Sequence, residues 1–114
     1  DFLLMPSRFE PCGLTQQHAL AYGTIPIVHA TGGLKDTVQN FNPWKGVGNG
    51  WRFSPLKPNF FKQALRWALA TYYDAPEDFQ KLKQRAMSAD RSWNVAAAQY
   101  EKLLQNALYL RQQR

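Results

Sequence analysis

Acidic, glycine and hydroxyl residues lie close together near the start of this chain, between Glu10 and Thr15. Glu10 precedes Gly13, and the pattern predicts that a helix begins at that glycine. The first N–H groups of a helix have no partner inside it, and with the helix dipole they favour a bound anion such as phosphate. Gly13 lets a ligand approach the backbone, and Thr15 adds a hydroxyl. A sugar joined to a phosphate would bridge these features, with hydroxyls on Glu10 and phosphate on the helix end.

The same segment allows structural roles as well. Glu10 alternatively caps the helix, because an acidic side chain near a helix N-terminus stabilises it by about 0.3–1 kcal/mol. Cys12 is either a reactive thiol beside a helix start or a small buried side chain. His18 either reaches a ligand or packs. Arg8 pairs with Glu10 or Asp36, or lies on the surface.

A second polar segment, residues 29–34, follows another short apolar stretch and contains Thr31, Gly32 and Gly33. A glycine pair after a buried strand indicates either a second helix start facing the same crevice or a plain tight turn. Both possibilities stand on the sequence alone.

Short apolar stretches alternate with helical patterns along the chain. Strands are expected at Phe2–Met5, Ile25–Val28 and Trp51–Phe53. Helices are expected from Gly13 to Tyr22, around Leu34 to Val38, from Asn59 to Asp74, from Pro76, and after Ser92 as a cap. This alternation predicts an α/β fold with a parallel sheet. Ligands bind at the carboxyl ends of such strands, where both polar segments lie.

The helical patterns also predict which residues pack. In the first helix they place Leu14, His18 and Ala21 on one side. In the later helices the apolar residues are, in chain order, Phe61, Leu65, Ala68, Leu69 and Tyr72, then Phe79, Leu82, Ala86 and Ala89, then Ala96, Tyr100, Leu103, Leu104, Ala107 and Leu108. Pro26 is expected at the strand start or where its missing N–H does no harm.

Composition limits the classes of function. The 114 residues suit one domain, and a net charge of +6 admits nucleic acid, an acidic membrane surface or an anionic small ligand as partner. The Lys and Arg residues form no dense run, which favours a solvated face.

The sequence also argues against several kinds of site. A single cysteine excludes an intrachain disulfide, and the two histidines lie too far apart in the sequence to suggest a metal site. No apolar run approaches the roughly 20 residues of a membrane span. The start within an apolar run, without Met, suggests a fragment.

Several ordered stretches closely resemble the starch synthases and bacterial glycogen synthases. They are Ser7-Arg8-Phe9-Glu10-Pro11-Cys12-Gly13-Leu14 with Gln16, Tyr22-Gly23-Thr24-Ile25-Pro26, and Thr31-Gly32-Gly33-Leu34-Lys35-Asp36-Thr37-Val38. Later stretches match too: Asn40-Phe41-Asn42-Pro43, Gly50-Trp51 with Phe53, Ser92-Trp93, and Gln99-Tyr100-Glu101. His29 and the Asn-Phe-Asn-Pro stretch favour soluble starch synthases of plants and algae.

The resemblance implies a two-domain GT-B glycosyltransferase, in which this chain is the latter half of the Rossmann-like C-terminal domain. It ends in the helix that returns toward the N-terminal domain. The implied reaction transfers glucose from ADP-glucose to the non-reducing end of an α-1,4-glucan with retention, without a cofactor. The acceptor domain and other phosphate-binding Lys and Arg residues would lie upstream, so the chain alone is expected to be inactive. The expected compartment is the plastid for a plant or algal protein and the cytoplasm for a bacterial one.

The resemblance also implies roles for individual residues. Glu10 would hold donor-sugar hydroxyls and stabilise positive charge at the anomeric centre, and Thr15 would bind the distal phosphate. Backbone N–H groups of Cys12, Gly13 and Leu14 would contact the sugar and phosphate. Thr31, Gly32 and Gly33 would line the same crevice.

The chain departs from the family pattern at His18, where the wider retaining superfamily has a second Glu. Gln17-His18 also replaces the Leu-Tyr common in starch synthases. His18 is therefore a candidate for the nucleoside contact. The alternatives are a related retaining transferase with another donor, such as a sucrose-forming one, a non-catalytic glucan- or nucleotide-binding module, and a nucleic-acid-binding module.

Overall fold

The chain alternates between strands and helices in the order that the sequence predicts. The computed structural model describes residues 1–113. The strands are β1 (Phe2–Met5), β2 (Ile25–His29) and β3 (Trp51–Phe53). The helices are α1 (Thr15–Ala21), α2 (Gly32–Thr37), α3 (Pro58–Asp74), α4 (Pro76–Ser88) and α5 (Trp93–Gln112). The α/β class is confirmed.

The three strands form a parallel sheet in the order β1-β2-β3, which confirms the predicted sheet type. Phe2 lies opposite Ile25 in the first pair, and Ile27 lies opposite Trp51 in the second. The central strand is buried from Ile25 to Val28, as a strand covered on both faces requires. Parallel pairing places the carboxyl ends of β1 and β2 at one edge, together with the polar segments that follow them.

Pro26 lies in this central strand without breaking its pairing. The N–H of Ile25 donates to Asp1 O on the β1 side at 2.9 Å. The next nitrogen, that of Pro26, therefore faces β3, and pairing with β3 begins only at Ile27. The missing N–H of Pro26 removes no ladder bond, as expected.

The main core lies between the sheet and helices α3 and α4. Its buried members are Leu20, Ile25, Ile27, Phe41, Trp51, Phe53, Ala64, Ala68, Phe79, Leu82 and Ala86. Phe2 packs its ring against Trp51 and Phe79, with centroids 6.0 and 5.4 Å apart. A smaller cluster of Val28, Leu34 and Val38 joins α2 to the other face. This packing holds the carboxyl end of the sheet, where the candidate site lies.

The first helix begins later than predicted. Gly13 has a φ of +69°, which lies outside the helical region, and α1 starts at Thr15. The predicted packing face of Leu14, His18 and Ala21 is wrong, because all three residues are exposed. Gln16 and Leu20 are buried instead. A hydrogen-bond partner for Gln16 makes its burial possible.

The predicted faces of α3 and α4 are largely confirmed. Ala68, Phe79, Leu82 and Ala86 are buried, and Phe61, Leu65 and Tyr72 pack against the core. Leu69 is 37% exposed, so its predicted place on the packed face is wrong. Ala89 is exposed because α4 ends at Ser88.

The last helix carries its apolar stripe on an open surface. Of the residues in α5, Ala96 is partly buried and the others that the structure describes are exposed. Ser92 takes the N-cap position as predicted, but its side chain makes no capping bond. Leu103, Leu104 and Leu108 are 58–63% exposed. No helix within residues 1–113 has the length and apolar character needed to cross a membrane.

Candidate functional site

Two loops meet at the carboxyl edge of the sheet. The β1–α1 loop comprises residues 6–14, and the β2–α2 loop comprises residues 30–31. The N–H of Gly33 donates to Glu10 O at 3.1 Å. A Cβ on Gly32 would clash with Glu10 O, and one on Gly33 would clash with Cys12 O. The glycine pair does begin a helix, and it lets the backbone from Glu10 to Cys12 lie directly on that helix start.

Glu10 is partly buried, and its carboxylate is available for a ligand. Among residues 1–113 the side-chain carboxylate accepts no hydrogen bond and forms no ion pair. The capping alternative is wrong, because Leu14 is the N-cap of α1 and no side chain caps that helix. Arg8 is exposed and joins neither of the ion pairs found in the described chain, so the surface alternative holds.

The start of α1 presents backbone donors where the β1–α1 loop ends. The first bond within the helix runs from His18 N–H to Leu14 O at 3.0 Å. The N–H groups of residues 15–17 therefore have no intrahelical acceptor. Thr15 is exposed, and the Cys12 thiol is exposed too, so the buried alternative for Cys12 is wrong.

Gly13 is needed for packing within the chain itself. It is buried, and a Cβ there would stand 2.7 Å from Gln16 Oε1. The space beside Gly13 is therefore filled by the Gln16 amide. Together with its positive φ, this contact explains why a residue with a side chain is disfavoured at position 13.

Gln16 is a site-proximal residue that the sequence reasoning did not single out. It is fully buried, and its Nε2 donates to Thr37 Oγ1 at 2.9 Å. The Thr37 hydroxyl in turn donates to Gly33 O at 2.6 Å. The spacing of Gln16 and Leu20, four residues apart on one helix face, was the available signal.

His29 attaches the β1–α1 loop to the end of β2. Its Nδ1 lies 2.7 Å from Ser7 O. Because a carbonyl oxygen can only accept, Nδ1 carries the proton and donates. The His29 ring also packs near Phe53, with centroids 5.7 Å apart. This contact holds the loop close to the sheet edge.

The remaining predicted residues lie at separate places. Thr31 is partly buried at the N-cap of α2, and its carbonyl accepts from Leu34 N–H at 3.1 Å. His18 is exposed in the last turn of α1, so the packing alternative for it is wrong. The structure thus brings together Glu10, Cys12 and the glycine pair, while His18 stands apart from them along α1.

Open clefts flank the β1–α1 loop. One of about 320 Å³ lies between Arg8 and the start of α3, with Phe53 and Phe61 in its lining. Another of about 390 Å³ lies between Leu14 and the start of α5. Within residues 1–113, no group of three or more His, Cys, Asp or Glu side chains is arranged to hold a metal ion.

Comparison with known proteins relates the chain to glycosyl transferases. The family model for glycosyl transferases group 1 matches residues 1–89. Starch synthase 1 of Arabidopsis thaliana, described as chloroplastic/amyloplastic, is 53% identical over 109 residues, which cover 92% of this chain and 17% of that protein. Granule-bound starch synthase 2 of Pisum sativum, described likewise, is 51% identical and is matched by 96% of this chain over 14% of its own length. The chain therefore spans a small part of these relatives.

Solved structures agree with this relationship. The catalytic domain of starch synthase IV from Arabidopsis thaliana, bound to ADP and acarbose, superposes with a TM-score of 0.82 at 38% identity, covering 96% of this chain and 23% of that one. Sucrose-phosphate synthase from Thermosynechococcus elongatus gives a TM-score of 0.59 at 28% identity, covering 96% and 26%. The first match confirms the expected Rossmann-like parallel fold of a GT-B enzyme.

Proposed function

The chain belongs to the glycosyl transferases group 1 family, and we propose that it is part of a starch synthase that extends an α-1,4-glucan from ADP-glucose. The observation that carries the proposal is 51–53% identity to plant starch synthases over 92–96% of the chain. The sucrose-phosphate synthase is less similar, at 28% identity. We call the longer protein that contains this chain the parent protein.

In this proposal the β1–α1 loop binds the donor. Glu10 holds hydroxyls of the glucosyl group, and the lack of a partner for its carboxylate within residues 1–113 supports that role. Backbone N–H groups of Cys12, Gly13 and Leu14 contact the sugar and its phosphate, and Thr15 binds the distal phosphate. The free N–H groups at the α1 start and the exposure of Thr15 support phosphate binding there.

The β2–α2 loop and α1 complete the proposed donor site. Thr31, Gly32 and Gly33 line the crevice, and the glycine pair also supports the backbone of Glu10. His18 contacts the nucleoside, which its exposure permits. The proposal includes no metal ion and no cofactor besides the sugar nucleotide.

The proposed transfer of the glucosyl group develops positive charge at the anomeric carbon and negative charge on the leaving diphosphate. The bond from the anomeric carbon to the diphosphate oxygen breaks, and a bond from that carbon to the acceptor hydroxyl oxygen forms on the same face. The transition state resembles an oxocarbenium ion, which the Glu10 carboxylate stabilises. Fixed N–H donors stabilise the leaving diphosphate, which takes the acceptor proton. The products are ADP and a glucan longer by one glucose, and no protein nucleophile is required.

Other parts of the parent protein complete the enzyme. The chain forms the latter half of the C-terminal domain, and the N-terminal domain binds the glucan acceptor. Upstream Lys and Arg residues add contacts to the phosphates, so the isolated chain is inactive. The parent protein resides in the plastid if it is from a plant or alga and in the cytoplasm if it is bacterial. Plastid names among the relatives support the first location.

Glucose incorporation by the parent protein tests the proposal. The purified protein is incubated with ADP-glucose labelled in the glucosyl group and with glycogen as acceptor. Label should enter the glucan, and unlabelled UDP-glucose should compete poorly. No incorporation would overturn the proposal in favour of a binding module, and equal use of both donors would count against a starch synthase.

A related transferase with another donor is the second candidate function, and the sucrose-phosphate synthase match favours it. The donor competition above separates the two. Nucleic-acid binding, suggested by the +6 charge, would appear as DNA retention on filters with a strong salt dependence. The proposed function predicts neither equal use of the two donors nor retention of DNA.

A further inference from the structure

A partly buried hydrogen-bond relay connects the two loops of the candidate site. It runs from Gln16 Nε2 to the Thr37 hydroxyl and from there to Gly33 O, over 2.9 and 2.6 Å. The N–H of Gly33 then donates to Glu10 O at 3.1 Å. The relay therefore leads from the first turn of α1, through α2, to the backbone of Glu10.

The other side of the Gln16 amide supports Gly13. A Cβ at Gly13 would stand 2.7 Å from Oε1 and 2.8 Å from Nε2, so the amide lies against this turn. Gln16 is thus connected to both ends of the segment from Glu10 to Gly13. One end is reached directly, and the other through Thr37 and Gly33.

Packing alone does not explain a glutamine at this position. Gln16 is fully buried, and its Oε1 has no hydrogen-bond partner within residues 1–113. An unsatisfied buried acceptor destabilises a protein, and Leu or Met of similar size would avoid that loss. The bond that glutamine alone can supply is the one from Nε2 to Thr37.

We propose that Gln16 and Thr37 are positioning residues that set the Glu10 carboxylate relative to the N–H groups at the start of α1. This inference rests on the proposed function, because it concerns the same donor site. In this proposal neither side chain binds the substrate, since the Gln16 amide is fully buried and the Thr37 hydroxyl is engaged with Gln16 and Gly33. Their substitution should therefore lower kcat more than it raises KM for ADP-glucose.

A matched pair of threonines tests the proposal in the parent protein. Thr37 and Thr71 each donate their hydroxyl to the carbonyl four residues earlier, at 2.6 Å to Gly33 O and 3.0 Å to Trp67 O. Thr71 lies in α3, away from both loops. Thr37→Val and Thr71→Val remove the same group from equivalent helical bonds. Both should lower the melting temperature, but only Thr37→Val should reduce kcat, by about 10- to 100-fold.

Two further variants make the test specific. Thr37→Ser retains the hydroxyl and should restore kcat. Gln16→Met removes the same bond from the other end, and it serves as the measurement if Thr37→Val does not fold. Combined with Thr37→Val, it should lower kcat by a smaller factor than it does alone, because the bond that the two residues share is already lost.

The outcomes separate this inference from the proposed function. Failure of the unsubstituted parent protein to transfer glucose would overturn the proposed function and, with it, the positioning role. Normal transfer by the unsubstituted protein, together with equal kcat for the Thr37→Val and Thr71→Val enzymes, would overturn the positioning role alone. An additive loss in the double variant would do the same.

Discussion

The N–H of Gly33 donates a hydrogen bond to the carbonyl oxygen of Glu10 at 3.1 Å, so the start of α2 supports the backbone of the proposed charge-stabilising residue. The backbone from Glu10 to Cys12 lies so close to Gly32 and Gly33 that neither position has room for a Cβ. The position of the Glu10 backbone is thus set by contact between two loops. A change at the glycine pair should therefore also affect the activity that depends on Glu10.

Gly32→Ala should disrupt this contact, because its Cβ would clash with Glu10 O. Gly46→Ala is the matched control, since Gly46 also has a positive φ, +62° against +44°, but has open space around it. Both changes place Ala in a left-handed conformation, which costs about 1–2 kcal/mol. Urea unfolding of the parent protein should show a larger loss for Gly32→Ala, and transfer activity should fall for that variant alone. Equal effects would contradict the proposed contact.

Glu10→Gln should lower kcat of the parent protein by about 100- to 1,000-fold, because the amide no longer offers negative charge to the anomeric centre. Its melting temperature should be retained, since the carboxylate has no partner in the described chain. Glu77→Gln, on the exposed first turn of α4, is the control and should leave kcat unchanged. Full activity in Glu10→Gln would rule out the charge-stabilising role.

Thr15→Val should weaken donor binding without reducing stability, because Thr15 is exposed. A hydrogen bond to a charged group contributes about 1.5–3 kcal/mol, so KM for ADP-glucose should rise about 10- to 100-fold. Thr15→Ser keeps the hydroxyl and should behave like the unsubstituted protein. Steady-state kinetics of the parent protein measure both, and an unchanged KM in Thr15→Val would place the phosphate elsewhere.

His29→Leu should release the β1–α1 loop, because it removes the bond from Nδ1–H to Ser7 O. The free energy of unfolding should fall by about 1 kcal/mol, the usual net contribution of such a bond. His29→Asn places an amide N–H near the position of Nδ1 and should recover part of this loss. Urea unfolding of the parent protein measures the difference, and equal stability of the two variants would exclude an anchoring bond.

Strand positions were predictable because the stretches that form them are short, apolar and closed by proline, glycine or polar residues. β1 and β3 have the predicted bounds, and β2 extends by one residue to His29 because that residue pairs with Phe53. Their parallel arrangement followed from the helices between them. The long helices were predictable from periodicity for the same local reason.

The start of α1 and the burial of Gln16 were not predictable in this way. Helical spacing places Leu14, His18 and Ala21 together, yet all three are exposed. The inward face instead carries Gln16, whose Nε2 donates to Thr37 Oγ1, 21 residues away along the chain. A pattern read within one helix carries no information about such a partner.

By itself, the amino-acid sequence determined the order of the elements, the parallel sheet and the family, because these depend on local propensity and on motifs contiguous in the chain. Only the tertiary structure decided that the Glu10 backbone lies on the helix start at Gly32 and Gly33 and that the Gln16 amide lies against Gly13. Those contacts join segments that the sheet brings together, and their distances depend on how β1 and β2 align. Local residue preferences do not specify that alignment, whereas close packing in three dimensions does.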